Sequence, residues 1–183
     1  GERAFCTGAD LTEFGTAPSR VIARQVRWER DVWGLFLSID KPIIAALHGY
    51  VVGSGVEMAL LCDLRIASED AVFGMPEATL GMIPAAGGTQ TLPRMLGAPR
   101  ALDMLLSNGR LDAARALEVG LVHRVVSRDI LLKEALALAR QLADHPAHLL
   151  KAVKEAIRRG LDMPLGQALG LELHLAATAM SRR

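Results

Sequence analysis

The chain has 183 residues, 51% hydrophobic and 22% charged, which fits a globular chain of one domain, or one with a short appendage, and excludes a disordered or fibrous one. Its 21 basic and 20 acidic side chains leave a formal charge of +1, a balance that speaks against a nucleic-acid-binding surface. Two cysteines, Cys6 and Cys62, make neither a disulfide framework nor a Cys-x-x-Cys metal or redox site, so a reduced, cytoplasmic setting is expected.

No apolar run approaches the ~18 residues of a membrane span, and no secretory leader is recognisable. Gly1-Glu2-Arg3 leads straight into the apolar Ala4-Phe5, a start that reads as a truncated chain. From 19 to 39, apolar Val21, Ile22, Val26, Val32, Leu35, Phe36 and Ile39 alternate with Arg and Glu, predicting one amphipathic helix or two short ones. Pro42 to Val52 is a nearly unbroken apolar run, the pattern of a short strand buried on both faces. It stops at Gly53-Ser54-Gly55, and Val56 to Asp63 is rich in helix formers, so a strand feeds a helix through a glycine turn.

Leu64 to Ala67 and Ala71 to Phe73 read as two strands around a Ser68-Glu69-Asp70 turn. The segment 80–88 is a Gly- and Pro-rich loop, and 89–96 and 99–107 are short helices divided by Gly97. Asp112 is placed to cap a helix over 113–118 that Gly120 ends, with a strand over 121–126. Three longer helices follow at about 127–144, 146–160 and 164–180. No internal repeat is visible. The chain thus reads as α/β, with a β/α part over 1–126 and a helical part over 127–183.

The chemistry concentrates at two places. Gly53-Ser54-Gly55 lies between a strand and a helix, so the unpaired first amides of that helix, with the positive end of its dipole behind them, form a turn that attracts oxyanions; a plain tight turn is the alternative. The turn is neither a dinucleotide nor a phosphate-loop fingerprint. Glu57 follows one helical turn later among Met58, Ala59, Leu60 and Leu61. Glu77 sits between Met75-Pro76 and Leu80, Met82 and Ile83. Two acids in apolar settings point to general acid–base work, although each can also be a satisfied capping or surface residue. The five histidines show no metal-ligand spacing, and His48 reads as a packed, hydrogen-bonded core residue.

At Ala4-Phe5-Cys6-Thr7-Gly8-Ala9-Asp10-Leu11, Ala45 to Ala59, Cys62-Asp63 through Phe73-Gly74-Met75-Pro76-Glu77, Leu80 to Pro84 and Gly87-Gly88-Thr89-Gln90 the sequence resembles the enoyl-CoA hydratase/isomerase (crotonase) family. The resemblance is strong over 1–126 and looser in the helical tail. It implies a crotonase-like spiral of ββα units followed by a C-terminal helical region, with the family's opening strands and closing segment lying outside residues 1–183. It implies an acyl-CoA thioester as substrate, the backbone amides of Ala9 and Ser54 as an oxyanion hole, and Glu57 and Glu77 as the two acids of a hydratase. Thr7 and Leu11, with Ala9, match a segment that touches coenzyme A; Gly53, Met82 and Gly87 fall around the acyl pocket, which Met75 and Leu80 can also line.

No cofactor beyond the coenzyme A of the substrate and no metal is implied, and a homotrimer or dimer of trimers through the late helices is. The family usually has Gly where this chain has Ser54, so a positive φ there would be strained. A double-bond isomerase using one of the acids is the second reading. An RNA-binding or scaffolding protein is the third, against which the charge balance and 4% aromatic content count.

Overall fold

The computed structural model describes residues 1–13, 15–29 and 31–181. They form two units: residues 1–38 with 44–135, and residues 39–43 with 136–183. Both sheets lie in the first.

Strands β1 (Ala4–Cys6), β3 (Tyr50–Val52), β5 (Val72–Gly74) and β6 (Leu111–Asp112) form one sheet in that order. Strands β2 (Ile44–Leu47), β4 (Leu64–Ser68) and β7 (Arg124–Val126) form the other. All pairings are parallel except β5 with β6. β2 and β4 pair from Ile44↔Leu64 to Leu47↔Ala67, and β3 and β5 from Tyr50↔Val72 to Val52↔Gly74. Each pass of the chain therefore lays one strand in each sheet before a helical segment: β2, β3 and helix α3 (Ser54–Leu61), then β4, β5 and the 3-10 turn Glu77–Leu80. The structure repeats a ββα turn that the sequence does not announce as a repeat.

The single strand expected over 42–52 is two. Gly49 divides it with φ of 55°, and a Cβ there would stand 2.1 Å from the Arg3 carbonyl oxygen, so a side chain fits neither the conformation nor the space. The chain changes sheets at this residue. Leu47, Val51, Val56, Ile66, Phe73, Leu92 and Leu121 are among the side chains that fill the core of this unit.

Of the two forms expected over 19–39, the structure has the two short helices, α1 (Arg20–Glu29) and α2 (Val32–Ser38); the side chains of Val26 and Val32 lie outside the described ones. Helices α4 (Gly88–Leu96) and α5 (Ala98–Leu106) meet at Gly97. Asp112 caps α6 (Ala113–Glu118) by accepting the Arg115 N–H at 2.8 Å. Helix α7 (Leu131–Ala143) begins in the first unit and ends in the second, where α8 (Ala147–Gly160) packs on α9 (Leu165–Met180). Among the described residues no helix is long and apolar enough to cross a membrane.

Candidate active site

Three segments of the first unit converge on a cleft of about 200 Å³. The first is the loop after β1, which contributes Thr7, Gly8, Ala9 and Leu11. Asp10 shapes it: its Oδ1 accepts the Thr12 N–H at 2.9 Å and the Thr12 hydroxyl at 2.7 Å, starting the 3-10 turn Leu11–Glu13. The hydroxyl bond first, then the amide bond, holds the Asp10 carboxyl below its ordinary pKa.

The second segment is Val52, Gly53, Ser54 and Glu57. Gly53 donates its N–H to Gly74 at 2.9 Å, and its carbonyl accepts the N–H groups of Val56 and Glu57 at 2.9 and 3.2 Å, so it caps α3 and Ser54 is the first helical residue. The positive φ of the turn, 56°, belongs to Gly53. Asn108 is the one described non-glycine residue with positive φ, so the strain expected of a serine at position 54 does not arise.

The Gly8 loop lies against this turn: a Cβ on Gly8 would stand 3.7 Å from the Ser54 nitrogen and 3.4 Å from the Val52 oxygen. Among the described residues, neither the Ala9 N–H nor the Ser54 N–H donates to a protein acceptor. Two free amides therefore belong to adjoining backbone segments, one of them at the N-terminus of a helix.

The third segment, Pro76, Glu77, Leu80, Met82, Ile83, Ala85 and Ala86, closes the other side. It engages Glu57, which is 2% exposed. Glu57 Oε1 accepts the N–H of Ala86 at 2.9 Å and of Gly88 at 2.8 Å. The Gly88 N–H is the first of α4, so the buried carboxylate satisfies a donor that the helix cannot satisfy itself and meets the positive end of its dipole. Burial of Glu57 is thereby offset and its side chain held at two points.

Glu77 differs. It heads the 3-10 turn Glu77–Leu80, its Oε1 lying 3.0 Å from where a Gly53 Cβ would be. Its Oε2 is buried and accepts no hydrogen bond from any described residue. Burial raises its pKa above the usual carboxylate value; its own backbone N–H opposes this in part, and the negative charge of Glu57 adds to the rise. The cleft so holds one acidic side chain fixed by amides, Glu57, and a second, Glu77, whose pKa burial raises above the usual carboxylate value.

Thr7, Ala9, Leu11, Gly53, Ser54, Glu57, Glu77 and Met82 all line the cleft. Gly87 does not: with φ of 104° it caps α4, its carbonyl accepting the N–H groups of Gln90 and Thr91 at 2.9 and 2.8 Å. Met75 is fully buried, and a Cβ on Gly88 would meet its Cε at 2.8 Å, so it packs beneath the start of α4 rather than into the cleft. The amides of Ala86 and Gly88 escaped sequence reading because a backbone donor leaves no side-chain signature. Their trace was Gly87-Gly88 opening a helix opposite a buried acid. His48 departs from expectation too, its buried Nδ1 having no partner among the described residues, while burial, then Arg128, lowers its pKa.

A family model described as enoyl-CoA hydratase/isomerase matches residues 1–183. A 2,3-dehydroadipyl-CoA hydratase of Escherichia coli K12 is 40% identical over 173 residues, covering 94% of this chain and 67% of that protein. A probable enoyl-CoA hydratase of Rhizobium meliloti is 40% identical over 174 residues, covering 95% and 67%. The crystal structure of an enoyl-CoA hydratase from Bacillus anthracis superposes with a TM-score of 0.93 at 36% identity, over 100% of this chain and 71% of that one. That of an enoyl-CoA hydratase from Polaromonas sp. JS666 gives 0.91 at 31%, over 98% and 71%. The two sheets with their ββα turns are the crotonase fold. The chain belongs to the enoyl-CoA hydratase/isomerase family, and it spans about two thirds of the length of these two curated relatives.

Proposed function

We propose that the protein is an enoyl-CoA hydratase that adds water across the 2,3 double bond of a 2-enoyl-CoA thioester. The observation that carries this reading is the pair of acids in one cleft with different surroundings, Glu57 held by two amides and Glu77 with an unpartnered buried oxygen and a raised pKa. Hydration needs both: one carboxylate takes a proton from water as its oxygen attacks C3, and the other acid gives a proton to C2. Glu57 is assigned the first role and Glu77 the second. The thioester oxygen accepts from the amides of Ala9 and Ser54, which stabilise the enolate formed as the nucleophile adds; donors of this kind contribute about 2.7–4 kcal/mol each. Thr7 and Leu11, lining the same end of the cleft, contact coenzyme A.

Self-assembly as a trimer or dimer of trimers belongs to the same reading. Its support is apolar exposure on the second unit's helices: Val153 and Ile157 on α8, Leu161 just after it, and Leu165, Leu169 and Leu173 on α9 are all exposed. Light scattering that returns a monomer removes it.

The test is spectroscopic. With a 2-enoyl-CoA the absorbance of the conjugated thioester falls if the protein hydrates. An isomerase instead creates that absorbance from a 3-enoyl-CoA and leaves the 2-enoyl-CoA unchanged. Glu57→Gln and Glu77→Gln are each expected to lower turnover about 10²–10⁴-fold with acyl-CoA binding largely kept; near-parental turnover in either variant refutes the two-acid scheme.

A further inference from the structure

We propose that Arg65 is a positioning residue for the reaction: its buried guanidinium ties helix α3 to helix α4 at one end, so that Glu57 and the Ser54 amide are held in working geometry at the other. The inference rests on the hydratase reading and deepens it. Arg65 lies on β4, is 2% exposed and is not among the residues that line the cleft.

The guanidinium reaches four groups. Nη1 donates to Cys62 O at 2.7 Å and to Ala59 O at 3.3 Å, at the C-terminal end of α3. Nε donates to Leu121 O at 2.7 Å, and Nη2 to the sulfur of Met95, in the last turn of α4, at 3.7 Å. All four acceptors are neutral. A buried cation whose bonds go to neutral groups recovers little of its desolvation cost, whereas its planar fork fixes the groups it reaches relative to one another.

The same two helices meet again at their other ends. Glu57, in the first turn of α3, accepts the N–H of Gly88, the first residue of α4, at 2.8 Å. α3 and α4 thus run side by side in one direction, cross-tied by Arg65 at their C-termini and by Glu57 at their N-termini. At about 1.5 Å per residue they are roughly 12 and 14 Å long, short enough to move as rods. Loosening the Arg65 end therefore tilts the end that carries Ser54, Glu57 and the amide of Gly88, and a displacement of about 1 Å at a reacting group costs on the order of 10² in rate.

Arg65→Met and Arg65→Lys test the role, with Leu131→Ala for comparison. Leu131 is buried on α7, in neither helix, so its truncation lowers stability by leaving a cavity elsewhere. At a temperature where all the proteins are folded, Arg65→Met is expected to hydrate a 2-enoyl-CoA with kcat lowered about 10–10²-fold and KM within a few-fold of the parent. Arg65→Lys keeps a donor for Cys62 O and Ala59 O but lacks the fork that also reaches Leu121 and Met95, and is expected to fall in between. Leu131→Ala is expected to keep the parental kcat.

A second readout needs no turnover. Hexanoyl-CoA, isotopically labelled at its thioester carbonyl, is bound and its C=O stretch followed by infrared difference spectroscopy. The amides of Ala9 and Ser54 are expected to lower that frequency in the parent, and Arg65→Met to return it part of the way to the value in water. Parental kcat and parental frequency in Arg65→Met, or in Arg65→Lys should Arg65→Met not fold, overturn the inference, as does an equal loss of kcat in Leu131→Ala. A parent that lowers the frequency without hydrating, with the lowering lost in Arg65→Met, keeps the positioning role and sinks the hydratase reading. A parent that hydrates with kcat indifferent to Arg65 does the reverse, and one that does neither sinks both.

Discussion

Ser54 offers a clean separation of backbone from side chain. It is the first residue of α3, a position at which proline's missing N–H and fixed φ are tolerated by a helix. Ser54→Pro is therefore expected to fold, to lose the amide, and to lower kcat about 10²–10³-fold, as loss of one oxyanion donor does. Ser54→Ala keeps the amide and is expected to stay within a few-fold of the parent. Equal damage in steady-state kinetics from both variants would transfer the role to the hydroxyl.

Glu77 makes two predictions with one sign. Its pKa is raised above the ordinary 4.5, first by burial. As a proton donor it is depleted as pH rises through that raised value, so kcat falls on the alkaline side at a pH above the usual carboxylate range. For stability, the contribution of the retained proton is complete below pH 4.5 and is lost as pH rises through the folded-state pKa. Glu77→Gln cannot lose a proton. Its melting temperature relative to the parent should therefore climb from pH 4.5 upward in a series of thermal melts, and a flat difference across pH 4–8 contradicts the assignment.

At the scale of elements, the buried guanidinium of Arg65 fastens the far end of α3. It is 2% exposed, and its Nε donates to Leu121 O at 2.7 Å while Nη1 donates to Cys62 O at 2.7 Å and Ala59 O at 3.3 Å. A cation at a helix C-terminus meets the negative end of the dipole, and here it shares the Ala59 carbonyl with the Cys62 N–H and adds a donor to the Cys62 carbonyl. Arg65→Met leaves those oxygens buried without this donor and should cost about 3 kcal/mol in denaturant unfolding. By contrast Asp112→Ala removes one exposed cap and should cost about 1 kcal/mol.

Legibility also divided along elements. Helices with caps or breakers, such as α4 and α5 around Gly97 and α6 behind Asp112, were readable because the terminating residue carries its own chemistry. Strands were not bounded as well. The run from Pro42 to Val52 is apolar throughout, and the change of sheet at Gly49 is fixed by the approach of Arg3, a contact between residues distant in sequence. β6 has two residues, too few for any period to register. In the site, Glu57 and Glu77 were legible as acids in apolar settings, whereas the partners of Glu57 are peptide groups of a loop whose shape only the fold determines.

At the scale of the whole molecule, the surface ion pairs among the described residues contribute little to holding the chain together. The pairs Arg124–Glu134, Lys151–Asp40 and Arg159–Glu155 are at the surface, with Lys151 and Asp40 51% and 61% exposed. Exposed pairs typically contribute about 0–1 kcal/mol and are screened by salt. Raising sodium chloride from 0.05 to 0.5 M, on the order of a tenfold increase chosen to collapse the screening length, should move the melting temperature by no more than about 2 °C. A drop several times larger in differential scanning calorimetry contradicts this and points to a charge network at work.

The parallel pairing of β1 with β3 has a temporal consequence. The loop at Ala9 is made first during synthesis, yet its neighbours at Ser54 are more than forty positions behind it, and the peptide groups that clasp Glu57 come some thirty later still. A growing polypeptide cannot present a working pocket until all three stretches have left the ribosome. Assembly must also wait for the ends of long loops to meet, which slows folding compared with a bundle of local helices.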